Sequence, residues 1–390
     1  MDKYLTTGII GMMFASVFQY SWNAFELTLP IISGASQFTL SLVFTMFVIV
    51  SSVSQIFTGI LADYFGPQRV YLFAALISGT GMALASQSGN ITEFALFWLL
   101  GSIGEGAIYG ISVNLALKWN EKNRGFASGF VGMGFGIGAM LANPFIFLFK
   151  SFRFPMLIVG IAMLFVLLLL SRYVKYPISS TGRSPSKVIR EGRWWLIFAS
   201  YSFAASPLQL FSYFLLFLSL RFGISYFILV SIIFPFVNGI GRPFIGRISD
   251  SIGRITSIIF ILACILAGSV LAYVGTEVSV LIATMLIAFF GGSLFTLYSS
   301  YVSDLYGSRF STANNGILYS GKAVAGLTGV FIFAIINSMY GLSGAMYFII
   351  ALGIISIVTF LVASLSSRTI AKKRFYYRLR LNKNEAHYNN

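Results

Sequence analysis

The 390-residue chain is short of the side chains that do chemistry: it has one cysteine, Cys264, and one histidine, His387, the latter in a polar tail. A single cysteine excludes an internal disulfide and a cysteine-built metal site. With the histidine also remote, metal and histidine chemistry lack their ligands, and no cofactor is expected. Charge is scarce as well, at 9% of residues, and acids are scarcer than bases, 11 against 26. No acidic pair falls within an apolar stretch, so a membrane enzyme is not expected. What fills the chain is apolar: 57% of residues are hydrophobic and the mean hydropathy is +0.86. A domain of this size with that balance belongs in a bilayer. In a soluble protein the net charge of +15 would suggest nucleic acid. In an integral membrane protein it is first a question of topology, and no nucleic-acid partner is expected.

A membrane-crossing helix needs about 20 mostly apolar residues. Polar breaks predict twelve such spans: 5–28, 40–61, 70–88, 92–117, 125–149, 154–174, 194–220, 224–246, 255–275, 278–300, 313–338 and 343–366. The first apolar run is too long for a cleaved signal and shows no small-residue cleavage site. With loops assigned to alternate sides, 21 lysines and arginines fall on the side of the N-terminus and three (Lys150, Arg153, Arg221) on the other. The positive-inside rule then makes both termini cytoplasmic. The two that remain, Arg242 and Lys322, lie inside predicted spans. The basic tail adds attraction to anionic lipid.

The longest polar interruption, SRYVKYPISSTGRSPSKVIREGR (171–193), divides the spans six and six. Each half repeats one signal after its second span. GILADYFG carries Gly59, Asp63 and Gly66, with Arg69 following; GRISDSIG carries Gly246, Asp250 and Gly253, with Arg254 following. An internal repeat of this kind predicts two six-helix bundles, residues 1–175 and 194–366, joined by a cytoplasmic linker, 176–193, and followed by a basic tail, 367–390. The loop itself reads as a tight turn whose glycines allow positive φ and close packing, and whose aspartate accepts from backbone amides or an arginine. GFVGMGFGIG (129–138) spaces glycines so that its helix can approach its neighbours nearly backbone to backbone.

Buried charge in a bilayer is costly and usually has a task. Besides Arg242 and Lys322, Glu105 is the ionisable group expected inside, and a rise of ~1.5 Å per residue puts Lys322 and Glu105 near mid-membrane. Arg242 has a structural alternative, snorkelling to the interface, and Lys322 another, a salt bridge to Glu105. If both cations face a central cavity, an anion is their complement, because carboxylate oxygens accept a fork from arginine and a point charge from lysine. Burying two like charges without a counterion would oppose closure of the empty site, which favours exchange. Glu105 cancels one charge when ionised and couples transport to protons when it titrates. Gln19, Tyr20 and Trp22 of the first span and Tyr109 of the fourth are candidate wall residues, although Tyr and Trp also favour bilayer interfaces.

The repeated cytoplasmic loop resembles the signature of the major facilitator superfamily, whose twelve-helix transporters alternate between inward- and outward-open states. Within it VFQYSW, ADYFGPQR, IYGISVNLALKW, NRGFASGF, VNGIGRPFIGRISDSIGR and NNGILYSGKA, in order along the chain, resemble the oxalate/formate antiporter family of organic-anion exchangers. That resemblance implies carboxylate binding by Arg242 and Lys322, with Gln19, Tyr20 and Tyr109 alongside. Where the oxalate exchanger has a tryptophan and a tyrosine in helix 10, this chain has Gly291 and Phe295, and Ser41 stands for a helix 2 glutamine. A roomier, less polar pocket is implied, suited to a bulkier or monovalent carboxylate. The expectation is a plasma-membrane, multi-pass, functionally monomeric carrier of small carboxylates, working by anion exchange or proton symport. An exporter of an unrelated hydrophobic or cationic compound, or a ligand sensor on the same fold, is the alternative.

Overall fold

The computed structural model describes residues 3–178, 181–220 and 222–388, and among them all regular structure is helical, apart from an isolated bridge between Ser33 and Asn90. The long helices in chain order are α1 (Lys3–Tyr20), α2 (Gln37–Phe65), α3 (Pro67–Ala85), α4 (Ile91–Trp119), α5 (Arg124–Phe147), α6 (Arg153–Ser171), α7 (Gly192–Leu220), α8 (Ile224–Ile252), α9 (Arg254–Val274) and α10 (Glu277–Tyr306). Next comes α11, built from Ser311–Tyr319, Gly321–Gly326 and a π-helical turn, Leu327–Ile332. It runs into Phe333–Tyr388, which breaks at Gly341 (φ 70°); the helix beyond, from 342, is α12.

Among the described residues, eight helical stretches are long and apolar enough to cross a membrane, Ser311–Leu365 counting as one stretch of 55 residues. About 20 residues suffice for one crossing, and the Gly341 break divides that stretch. The helices α1, α3 and α7 fall outside the eight, α1 and α3 being made less apolar by Lys3 and Gln19 and by Gln68 and Arg69.

Local signals set the boundaries. Asn90 caps α4, its Oδ1 accepting from Glu93 N at 2.9 Å, while Glu93 Oε2 accepts from Gly89 N at 2.8 Å. Such a reciprocal cap satisfies amides that the first turn leaves unpaired. One expectation needs correction. The first span, read as continuous over 5–28, stops at Tyr20 and restarts as a short helix, Trp22–Glu26, after Ser21. The eleventh, expected over 313–338, keeps helical dihedrals through Ser320 (φ −60°, ψ −18°), two residues before Lys322.

Packing joins helices from the two halves of the sequence. The helix α5 packs on α8 and α1, α2 packs on α11, and α10 packs on α8 and α9. The α5–α8 contact uses the glycine run: a Cβ on Gly136 would lie 2.6 Å from Gly239 Cα, and one on Gly129 would strike the Arg242 backbone. Gly134 and Gly138 meet Ile9 and Met13 of α1 in the same way. One helix thus presses glycine faces on both neighbours, the close approach that small residues permit in lipid.

Candidate functional site

Arg242 and Lys322 are buried, at 1% and 0% exposure, which removes the snorkelling alternative for Arg242. Asn238 lies one turn before Arg242 on α8; its amide donates to Ala288 O at 3.1 Å, which turns its Oδ1 toward Arg242 Nη2, 2.9 Å away. The other guanidinium nitrogens, Nε and Nη1, find no acceptor among the described residues. The guanidinium instead lies over the rings of Phe135, at 5.1 Å, and Phe295, at 5.9 Å. Gly132 makes room for it, since a Cβ there would sit 2.9 Å from Arg242 Cδ.

Lys322 Nζ donates to Gln19 Oε1 at 2.6 Å and to Tyr319 OH at 3.1 Å, and faces the Tyr319 and Phe47 rings. Gln19 is held by α7, donating to Ser212 Oγ at 3.2 Å and to Gln209 Oε1 at 3.5 Å. All these partners are neutral. The expected alternative of a Glu105–Lys322 salt bridge is corrected: no ion pair joins them, and Glu105 Oε2 accepts instead from Ser51 Oγ. Glu105 Oε1 has no donor, and the residue is wholly buried.

Aromatic rings link the two cations. Phe295 and Tyr319 lie 5.6 Å apart, Tyr319 and Tyr109 4.5 Å, Tyr109 and Phe135 5.4 Å, and Phe135 and Tyr20 5.1 Å. The result is a cage with a cation at each end. Of the expected wall residues, Gln19, Tyr20, Tyr109 and Phe295 are brought together there. Trp22 is not, and this is a correction: it sits among Phe44, Phe94 and Trp98, because the break at Ser21 turns it away from Gln19. The roomier pocket expected at Gly291 is also filled in part, since Leu208 of α7 lies 3.3 Å from where a Cβ would stand. Ser41 bonds its own helix, at Phe38 O.

Both ends of the bundle are closed over this cage. At the end carrying the 176–193 linker, Asp63 Oδ1 accepts from Lys118 Nζ and Oδ2 from Ala313 N, both at 2.8 Å. Asp250 does the equivalent for α5, accepting from Gly125 N at 3.1 Å and Phe126 N at 2.8 Å, and pairing with Arg254 at 2.6 Å. Each aspartate thus reaches a helix N-terminus of the other half, where free amides and the helix dipole favour a carboxylate. Asp304 joins Arg124, at 2.7 Å, to Arg254, at 2.9 Å. The motif glycines divide the labour. Gly66 (φ 92°) and Gly253 (φ 94°) make turns that side chains resist, whereas Gly59 and Gly246 admit the Thr312 and Gly125 backbones. Arg69 stays outside this network, lining an apolar outer groove with Phe65 and Phe73; Lys118 takes the place expected for it. At the opposite end Asn23 bonds Ser212 O at 2.6 Å, Asn143 bonds Ser231 O at 2.7 Å, and Gln37 bridges Glu26 Oε1 at 3.1 Å and Tyr213 OH at 3.2 Å.

Asp63→Asn tests the linker-end closure. The amide can still accept from Ala313 N, but Lys118 is left buried without its counter-charge, a loss of about 3 kcal/mol. In a Cys264→Ser background, maleimide labelling of Thr312→Cys is expected to quicken at least about tenfold, a step of about 1.4 kcal/mol.

Several contributing residues were missed in the sequence. Phe135, Tyr319 and Gln209 are apolar or neutral and carry no signal apart from their neighbours. Glu26 was passed over because it sits near the end of the first predicted span, yet it is 3% exposed and its Oε2 has no donor.

Comparison with known proteins agrees with this architecture. The family model of the Major Facilitator Superfamily matches residues 5–278 and again 229–376. An uncharacterized 38 kDa protein of Thermoproteus tenax is 35% identical, over 88% of this chain and 91% of its own length. The oxalate:formate antiporter of Oxalobacter formigenes is 26% identical, over 87% of this chain and 85% of its own. In structure, the human organic anion transporter TETRAN superposes with a TM-score of 0.74 at 16% identity, covering 92% of this chain and 99% of its own. The chain therefore belongs to the major facilitator superfamily and is a multi-pass membrane transporter.

Proposed function

We propose that the protein carries small carboxylates by alternating access, binding the carboxylate between Arg242 and Lys322. The observation that carries this reading is that two fully buried cations share one aromatic cage and neither forms an ion pair. An uncompensated buried charge costs several kcal/mol. Two guanidinium nitrogens without acceptors and an ammonium held by neutral groups are what an anion would complete. Gln19, Tyr20, Tyr109 and Phe295 line the site, and the rings favour an organic anion over an inorganic one. Likeness to an oxalate:formate antiporter supports the substrate class.

Residues 1–175 and 194–366 are the two bundles that rock about the cage, each of six spans, with the linker 176–193 and the tail 367–390 on the cytoplasmic side together with both termini. The sorting of basic residues supports this orientation. The carrier works as a monomer in the plasma membrane, its tail against lipid headgroups. The test is uptake into proteoliposomes of radiolabelled formate, lactate, oxalate and succinate, with and without unlabelled anion inside. Saturable uptake of at least one of them is expected; no uptake of any, in either arrangement, overturns the proposal.

A further inference from the structure

Glu105 has no task in anion binding, and its setting is specific. Its Oε2 takes one hydroxyl donor, Ser51 Oγ of α2, while Oε1 takes none, and no solvent reaches it. One hydroxyl is enough for a neutral carboxyl and far too little for a buried carboxylate. Lys322 is nevertheless close at hand. Glu105 lies one turn before Tyr109, whose ring packs at 4.5 Å against that of Tyr319, whose hydroxyl holds Lys322; Ser51 lies one turn after Phe47, whose ring also faces Lys322. Among the described residues, Lys322 is the charged group that acts on Glu105.

We infer that Glu105 is the site of a coupling proton and that Lys322 exchanges partners: the substrate carboxylate when Glu105 is protonated, the Glu105 carboxylate when it is not. The protein is then a proton and carboxylate symporter. This rests on the anion-binding reading above.

The groups facing Glu105 allow that exchange. From α11 they are Lys322 and Tyr319, from its own helix Tyr109, and from α2 Ser51. From α3, Ala74 and Ser78 pack beside the adjacent Gly104, and α1 meets Ile108 at Gly11; these α3 and α1 residues carry no ionisable group. In the loaded form, protonated Glu105 is neutral and a monocarboxylate offsets one of the two cations. After release, the carboxylate has left, the Glu105 proton has passed to water, and ionised Glu105 pairs with Lys322. Both forms bury one net positive charge, so neither direction of rocking meets the penalty of two unmatched cations. One proton accompanies each monocarboxylate, and the cycle moves no net charge.

Proteoliposomes and the same four radiolabelled anions test this. In the wild type an inward proton gradient should drive accumulation of a transported monocarboxylate above equilibrium, unchanged when valinomycin and potassium clamp the potential. Glu105→Gln is fixed in the neutral form, so gradient-driven accumulation should be lost while counterflow against internal anion persists; that persistence also reports a folded carrier. Undiminished gradient-driven accumulation in Glu105→Gln overturns the inference, as does loss of counterflow together with it. The anion reading fails separately, through undiminished counterflow in Lys322→Ala.

Discussion

Lys322→Ala is expected to abolish saturable carboxylate uptake and to leave the folded protein as stable as before, or more so. The two effects have one cause. Lys322 is buried with Gln19 and Tyr319 as its hydrogen-bond partners and with no ion pair, so its charge is met only when a carboxylate, the substrate's or that of ionised Glu105, faces it. Truncating one member of a desolvated, charge-assisted contact costs about 2–5 kcal/mol of binding, some 30-fold or more in affinity. Removing a buried cation that also repels Arg242 relieves the fold of a burden, and Glu105 stays neutral in its absence. Uptake assays should therefore show no saturation in the accessible range, while thermal unfolding in detergent shifts upward or holds. A lowered unfolding temperature with normal uptake would make Lys322 a structural residue and remove the anion site. Arg242→Lys is expected to weaken uptake in the same way, because an ammonium supplies neither the fork nor the flat face that lies over Phe135 and Phe295.

What could be read from the sequence, and what could not, divides along the cost of each residue in lipid. Arg242, Lys322 and Glu105 are expensive there, so an unpaired lysine in ILYSGKA is visible without any structure. The repeated loop was equally legible, since Gly66 and Gly253 occupy a backbone region that other residues avoid and Asp63 and Asp250 each have two amide or ammonium donors to satisfy. Direction was harder. Its neighbours Gln19 and Tyr20 place Trp22 in the cage by sequence, but beyond the break at Ser21 it packs with Phe44 and Trp98. The repeat pairs Arg69 with Arg254 at the gate, yet the helix carrying Arg69 turns its side chain to an outer groove, and Lys118 of α4, distant in sequence, answers Asp63 instead. Gln209, which accepts from Gln19 at 3.5 Å, is a neutral amide among apolar residues, so nothing marks it beforehand.

Gly136→Val is expected to have a large effect on folding, as great as any single change at the α5–α8 face of the glycine run. A Cβ at Gly136 would fall within contact distance of Pro235 O and lie 2.6 Å from Gly239 Cα. Both are backbone atoms of α8, with no flexible side chain to give way, so the helices must separate along their length. Overpacking of this kind costs about 1–3 kcal/mol in cores that can adjust. Here the helices cannot part at one point alone, because Gly129 meets the Arg242 backbone and Gly246 meets Gly125 on the same interface. The measured result should be a lower unfolding temperature and poor recovery from the membrane. Gly132→Ala makes the contrast that assigns the cause. Its Cβ would meet Arg242 Cδ and Nη1, at 2.9 and 3.2 Å, the movable part of a side chain. That variant should fold with little loss of stability and bind carboxylate more weakly, because the guanidinium is displaced from between Phe135 and Phe295. If instead Gly132→Ala unfolds the protein and Gly136→Val does not, the α5–α8 contact is not the rigid seam on which the cage is built.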